Sequence, residues 1–322
     1  MKGRGTSVGH QPIAVADLGG NTLHLLIATV EHGHVRELLD ETEMIRLGED
    51  VDRGGAISEA KIAASLDVLD RFKHHAACFG AARLHLMATQ AVRGATNRDD
   101  FLRRIHDSTG LEVTLLTSRD EAQLAFDGVV LSKRHSPCEG RPDQAYMIVD
   151  VGGSTSHCVV GRGRTLIDIR SIPLGSGKLT TLHGGGDPPT DAQIEAMTAA
   201  VEAALVPVDA TFGDGLQPQA AFAVGGSARA LKKLANLPLA GEPIGVIRLM
   251  GMLATLRRQN ATAIANAFDI NRARARVLPA GVILIERILH HFGLTEIRIK
   301  LSGIRDGAVL RIARCGHLSA EC

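Results

Sequence analysis

The 322-residue chain has no tryptophan, one tyrosine and only 3% aromatic residues. Proteins that hold single-stranded nucleic acid stack bases on aromatic rings, so this poverty argues against such a ligand. A charge surplus is also missing: 36 Lys and Arg against 35 Asp and Glu leave a net +1. No global field draws the chain to nucleic acid or to an anionic membrane, and any basic site must be local. The five cysteines, Cys78, Cys138, Cys158, Cys315 and Cys322, contain no CxxC pair. Their odd number and scatter fit a reducing compartment and no metal knuckle. No run approaches the ~18 apolar residues of a membrane span, and the opening MKGRGTSVGHQP lacks a signal-peptide core. The expected location is the cytoplasm. What remains, 45% hydrophobic and 22% charged, is a globular composition, in a chain long enough to favour two domains.

One stretch returns. Ile13 to Ala28 reads IAVADLGGNTLHLLIA, and Ile148 to Gly161 reads IVDVGGSTSHCVVG. Setting Asp17 on Asp150 fixes an offset of 133 (150 − 17), under which Gly19, Gly20, Thr22 and His24 fall on Gly152, Gly153, Thr155 and His157 without a gap. An apolar run ending in Asp, a glycine pair and a second apolar run describe two strands joined by a tight turn. Such turns point backbone N–H groups into one concavity that suits phosphate, and an Asp at the strand end can hold Mg²⁺. Two of them facing each other would grip a phosphate chain.

The rest of the chain reads as alternating strands and helices. Arg36 to Leu47 forms a further strand, giving a five-strand opening sheet, and 46–55 reads as a charged loop. Ser58 caps a helix from Glu59 to Phe72, and a strand from Arg83 to Ala88 leads past Arg93 to a helix from Asp99 to Thr109. Leu111 to Leu116 is a strand, and Ser118 caps a helix whose first turn holds Asp120 and Glu121, ordinary positions for helix-dipole partners. Lys133 to Gln144 reads as a connector, and a third strand, Arg164 to Ile172, leads to a polar loop over 173–179. Thr190 to Val206 is helical. Ala220 to Val224 meets Gly225, Gly226 and Ser227 at a helix start, a third phosphate-facing loop. The region 242–268 is helical, Arg272 to Arg276 reads as a solvated basic run, and the final helix follows Gly307.

In this order the motifs resemble the Ppx/GppA family of exopolyphosphatases and guanosine pentaphosphate phosphohydrolases, within the sugar-kinase, Hsp70 and actin superfamily. The family pattern DLGSNSFHLVIA is similar to residues 17–28, ATSALRDAxN to 88–97, SGxEEARL to 117–124, and DIGGGSTE to 150–157. SLPLGAVRLT is similar to 171–180, GTGGTARALA to 224–231 and LRDGLL to 304–309. The resemblance implies an α/β fold of two ribonuclease-H-like, actin-like ATPase domains around a cleft, 1–132 and 133–302, with helix 303–322 packing back on the first. It implies that Glu121 orients or deprotonates the attacking water and that Arg93 binds the transferred phosphoryl. Gly19, Gly20, Asn21, Thr22, Gly152, Gly153, Ser154, Thr155, Gly225, Gly226 and Ser227 would hold phosphate, and Asp17, Asp150 and His157 would hold Mg²⁺, with Mn²⁺ as an alternative.

The chain departs from the pattern at three places. Gly20 replaces a serine, Asp120 a glutamate, and His157 the acidic residue that closes the second hairpin motif. The last change removes a negative charge and an oxygen donor from the expected metal site. The expected activity is metal-dependent hydrolysis of the terminal phosphoanhydride of polyphosphate. Guanosine pentaphosphate is the alternative substrate, and a catalytically weakened polyphosphate or alarmone binder the alternative class. No nucleic-acid or membrane partner is expected, and a homodimer is compatible with the sequence.

Overall fold

A computed structural model describes residues 11–131, 143–237 and 242–318. The first repeat is a hairpin: β1 (Ile13–Leu18) pairs antiparallel with β2 (Thr22–Glu31). A two-residue turn at His32 and Gly33, both with positive φ, matches strand twist and leads to β3 (His34–Met44). Then come α1 (Leu47–Gly54), α2 (Glu59–Cys78), β4 (Leu84–Ala88), α3 (Gln90–Arg93), α4 (Arg98–Thr109), β5 (Val113–Leu115) and α5 (Ser118–Val130). The five strands form one sheet in the order β3-β2-β1-β4-β5.

The second repeat pairs β6 (Ala145–Val151) with β7 (Ser156–Arg162), extended by β8 (Thr165–Ile172). After α6 (Ser176–His183), α7 (Asp191–Leu205), β9 (Ala220–Val224) and α8 (Gly225–Leu234) come β10 (Pro243–Gly245), α9 (Val246–Leu256) and α10 (Ala261–Phe268). The chain closes with α11 (Arg272–His291), β11 (Glu296–Ile299) and α12 (Ile304–Cys315). The second sheet runs β10-β11-β9-β6-β7-β8.

Each sheet buries one face under its own helices, and the other faces meet across a helix pair. Val15 and Leu26 of the first sheet pack with Val309 and Ile312 of α12, while Tyr146, Ile148 and Val159 of the second pack with Phe126 and Val129 of α5. The two helices cross at glycine: a Cβ on Gly307 would collide with the Leu124 carbonyl, and one on Gly128 with the Gly303 carbonyl. Only glycine permits so close a crossing, so α12 fixes α5, and with it the position of Glu121, between the sheets. Among the described residues no helix is long and apolar enough to cross a membrane.

The structure corrects several local expectations. Residues 47–54 are helical, not loop, because Gly48 N–H docks on Gly20 O at 2.8 Å. The polar loop becomes α6 at Ser176, where the N–H groups of Ser176 and Lys178 donate to Gly152 O and Gly153 O, both at 2.9 Å. Region 242–268 contains a short strand and two helices, the basic run 272–276 is the first part of α11, and α12 begins at Ile304, before Gly307. Most of the connector lies outside the described residues. Cys78 and Cys158 are free thiols, whereas Cys315 is disulfide-bonded.

Candidate active site in the cleft

At the end of β1 the chain passes Asp17 and turns, with Gly19 N–H donating to Thr22 O at 2.9 Å. At the end of β6 it passes Asp150 and turns in the same way, with Gly152 N–H donating to Thr155 O at 3.0 Å. The two turns interlock. A Cβ on Gly20 would stand 2.6 Å from Ser154 Oγ, and one on Gly153 would stand 2.8 Å from Asn21 N, so glycine is what allows the approach. The N–H groups of Gly20, Asn21, Gly153 and Ser154 make no backbone hydrogen bond among the described residues. Gly225, at the start of α8, has φ +81, and its missing Cβ leaves room for Asp150 Oδ1. Together these elements line a cleft of about 350 Å³ that receives residues from both sheets.

Carboxylates crowd one part of this cleft. Glu121 sits in the first turn of α5, which Thr117 caps: its Oγ1 accepts from Asp120 N–H at 3.1 Å, and Asp120 Oδ2 accepts from Thr117 N–H at 2.9 Å. Thr117, not Ser118, is therefore the cap, and Asp120 is a structural capping-box residue. Glu121 is different. Its side chain is 8% exposed; Oε1 accepts from Arg93 Nη1 at 3.0 Å, and Oε2 lies 3.4 Å from His157 Nε2. Burial, with repulsion from Glu121 and Asp150, pushes the Asp17 carboxyl up to about 7 against the pull of Arg305. Burial raises Asp150 as well, with His157 opposing and Glu121 adding to the rise. Neutral forms gain because carboxylates leave water for a site already negative.

Arginines supply the other part. Arg229 and Arg305 both donate to Asp40 on β3, Arg229 at 2.9 Å, joining α8 and α12 to the first sheet. Burial disfavours the charged Asp40, but the Arg305 hydrogen bond and the two arginine charges hold its pKa below the usual range. Arg274, one turn into α11, lies over Gly226, where a Cβ would stand 2.5 Å from Nη2. Burial and the neighbouring Arg229 lower Arg274 to about 10. His24 Nε2 lies 2.7 Å from Thr22 Oγ1, and its Nδ1 lies 2.8 Å from Thr42 Oγ1. Burial and the charges of Arg305, Arg274 and Arg229 push this imidazole well below its usual pKa, so it is neutral.

The cleft brings together Glu121, Asp17, Asp150 and ten of the eleven expected phosphate residues, Gly19 to Thr22, Gly152 to Thr155, Gly225 and Gly226. Three expected residues stand elsewhere. Ser227 is fully buried against Gly281 of α11. Arg93 is behind Glu121, its guanidinium spent on Glu121, Gln90, Ser118 and the Leu116 carbonyl. His157 is also behind Glu121, its Nδ1 3.0 Å from Ser171 Oγ. Among the described residues no three His, Cys, Asp or Glu side chains gather as a metal-ligand group, so Asp17, Asp150 and His157 do not form one. Sequence reasoning missed Arg274, read as surface, as well as Arg229, Arg305 and His24. The last three lie inside quoted motifs, which was the available signal.

A two-lobed actin-like fold whose glycine turns meet over a buried carboxylate and an arginine wall defines a phosphate-handling protein. Residues 26–314 match the Ppx/GppA phosphatase family, and the chain belongs to that family. It is 26% identical over 306 residues to exopolyphosphatase 1 of Mycobacterium tuberculosis, covering 93% of this chain and 87% of that one. Exopolyphosphatase 2 of the same organism is 26% identical over 324 residues, with 94% and 98% covered. A solved exopolyphosphatase from Cytophaga hutchinsonii superposes with a TM-score of 0.84 at 20% identity, covering 95% of this chain and 99% of the other. The Aquifex aeolicus Ppx/GppA family member gives 0.74 at 24% identity, with 93% and 96% covered.

Proposed function

We propose that this cleft hydrolyses the terminal phosphoanhydride of inorganic polyphosphate, releasing orthophosphate. One observation carries the reading: Asp17 Oδ1, Asn21 Nδ2 and Ser154 Oγ are buried without partners, and all three residues line the space between the glycine turns. Each such group costs about 1–3 kcal/mol, a large share, for three, of the ~5–15 kcal/mol that holds a folded protein together. A phosphate chain offers acceptor oxygens to the donors, and a cation would satisfy the carboxylate. The names of the relatives support the same substrate.

In this reading Glu121 takes a proton from water as its oxygen attacks the terminal phosphorus; the bridging P–O bond breaks, and the shortened chain leaves with the electron pair. The free N–H groups of the turns receive the terminal phosphate oxygens, while Arg229, Arg274 and Arg305 offset the charge of the departing chain. Arg93 acts by holding Glu121. Asp17 and Asp150 fit a hard cation such as Mg²⁺, which commonly takes one or two carboxylates together with substrate oxygens and water. Bound there, it supplies charge neutralisation at the transferred phosphoryl. The imidazole that would favour Mn²⁺ is turned to Glu121. The lobe boundary in this reading falls between α5 and β6, with α12 returning to the first lobe.

The test is orthophosphate release from long-chain polyphosphate, guanosine pentaphosphate and ATP side by side, with and without Mg²⁺. Fast, Mg²⁺-dependent release from polyphosphate is expected. Preference for guanosine pentaphosphate would move the substrate assignment, and polyphosphate binding without release would make the protein a binder.

A further inference from the structure

We infer that His157 is a positioning residue for Glu121, the second arm of a clamp whose first arm is Arg93. The inference rests on the hydrolytic reading of the cleft. β6 and β7 pair Asp150 directly opposite His157, and opposed residues of an antiparallel pair project from the same face. That face is the one packed on α5, as Tyr146, Ile148 and Val159 show by their contact with Phe126 and Val129. The imidazole therefore reaches the first turn of α5 from the second sheet, while Arg93 reaches it from the end of α3 in the first lobe. Each holds a different oxygen of the same carboxylate, Oε1 at 3.0 Å and Oε2 at 3.4 Å. Ser171 Oγ, 3.0 Å from Nδ1, fixes the ring. With the Ser171 hydroxyl donating to Nδ1, the proton sits on Nε2 and points at Glu121.

Neither arm lines the cleft, whereas Glu121 does. The carboxylate is thus gripped by both lobes while it still lines the substrate space. A general base works only when its oxygen is aligned with the water it deprotonates, and small misplacements cost large factors in rate. The clamp also ties base alignment to the relative placement of the lobes, because one arm belongs to each.

The test is a kinetic cycle on long-chain polyphosphate with wild type, His157→Ala, His157→Gln, Glu121→Gln and the double variant Glu121→Gln/His157→Ala. His157→Ala is expected to lower kcat about 10- to 100-fold with KM unchanged. His157→Gln, which keeps a donor toward Glu121, is expected to recover most of that loss. In the Glu121→Gln background, His157→Ala should add nothing, because residues acting through one group are non-additive. Additive losses, or a change confined to KM, would overturn the inference. A second readout is independent of turnover: the ring-nitrogen NMR signals of His157 are expected to move in Glu121→Gln. Unmoved signals would overturn the clamp, whereas signals that move in Glu121→Gln, together with a wild type that releases no phosphate, would keep the clamp and remove the hydrolytic reading.

Discussion

The two hairpins keep the same local design in opposite surroundings. Each carries an Asp directly opposite a His, Asp17 with His24 and Asp150 with His157, and each closes its turn with the equivalent N–H to carbonyl bond. His24 nevertheless sits between two threonines under the field of three arginines. His157 sits between Ser171 and the Glu121 carboxylate. Turn geometry is a property of the repeated sequence, whereas the chemistry of each copy comes from elements outside it. The first hairpin receives arginines from α8, α11 and α12, and the second receives the glutamate of α5. The cleft is asymmetric as a result, with the Glu121 carboxylate held against one hairpin and the arginines gathered over the other.

Variants in the two turns should separate the hairpins most strongly. Gly153→Ala places a Cβ 2.8 Å from backbone N and 3.0 Å from Cγ of Asn21, and the backbone has nowhere to go. Overpacking of this kind costs about 1–3 kcal/mol of stability, so Tm is expected to fall by several degrees, with a loss of kcat/KM for polyphosphate as the turns are pushed apart. Gly20→Ala chiefly meets Ser154 Oγ at 2.6 Å, a side chain that can rotate, and the fall should be smaller. Equal losses would mean that the turns do not interlock in the asymmetric way described.

Next comes the arginine wall. Arg274→Met removes a guanidinium that is counted on for the leaving chain, and loss of a charged hydrogen bond costs about 1.5–3 kcal/mol. KM for polyphosphate is expected to rise about 10- to 100-fold, with a shallower dependence on salt. An unchanged KM would detach α11 from the substrate.

The carboxylates respond to pH. Because the Asp17 pKa is raised from 3.8 to about 7 in the folded protein, the unfolded chain ionises first as pH rises. The metal-free protein therefore loses stability between about pH 4 and 7, and the loss stays complete above that. Asp17→Asn is expected to raise Tm at pH 8 by several degrees and to leave it unchanged near pH 4. His24 shifts in the opposite direction: it resists protonation when folded, so stability falls as pH drops below about 6.5. His24→Gln is expected to flatten that acid limb slightly, the smallest of these effects, read by thermal unfolding between pH 5 and 7.

Local features of this site were legible in the sequence and tertiary ones were not. The hairpins could be read because alternation, strand-end Asp and glycine pair are neighbours in the chain. Helix α1 could not, because its start follows Arg46 in a left-handed conformation and its docking bond goes to Gly20. Arg274 looked like surface because its neighbours Arg272 and Arg276 face elsewhere, Arg276 donating to the carbonyls of Gly184, Gly185 and Gly186. Nothing near His157 in sequence announces Glu121, which lies 36 residues away. Only the pairing of β7 with β6 and the packing of α5 across that sheet bring the two together.

The proposed hydrolysis needs Glu121 as the proton acceptor while the turns and arginines hold the chain. Its most direct test compares Glu121→Gln with wild type, measuring orthophosphate release under saturating Mg²⁺ alongside equilibrium binding of the same polyphosphate. Because general-base catalysis contributes about 10²- to 10⁴-fold, kcat is expected to fall by that factor with Kd within twofold of wild type. A variant that keeps most of its turnover, or that loses binding in proportion to rate, would remove Glu121 from that role.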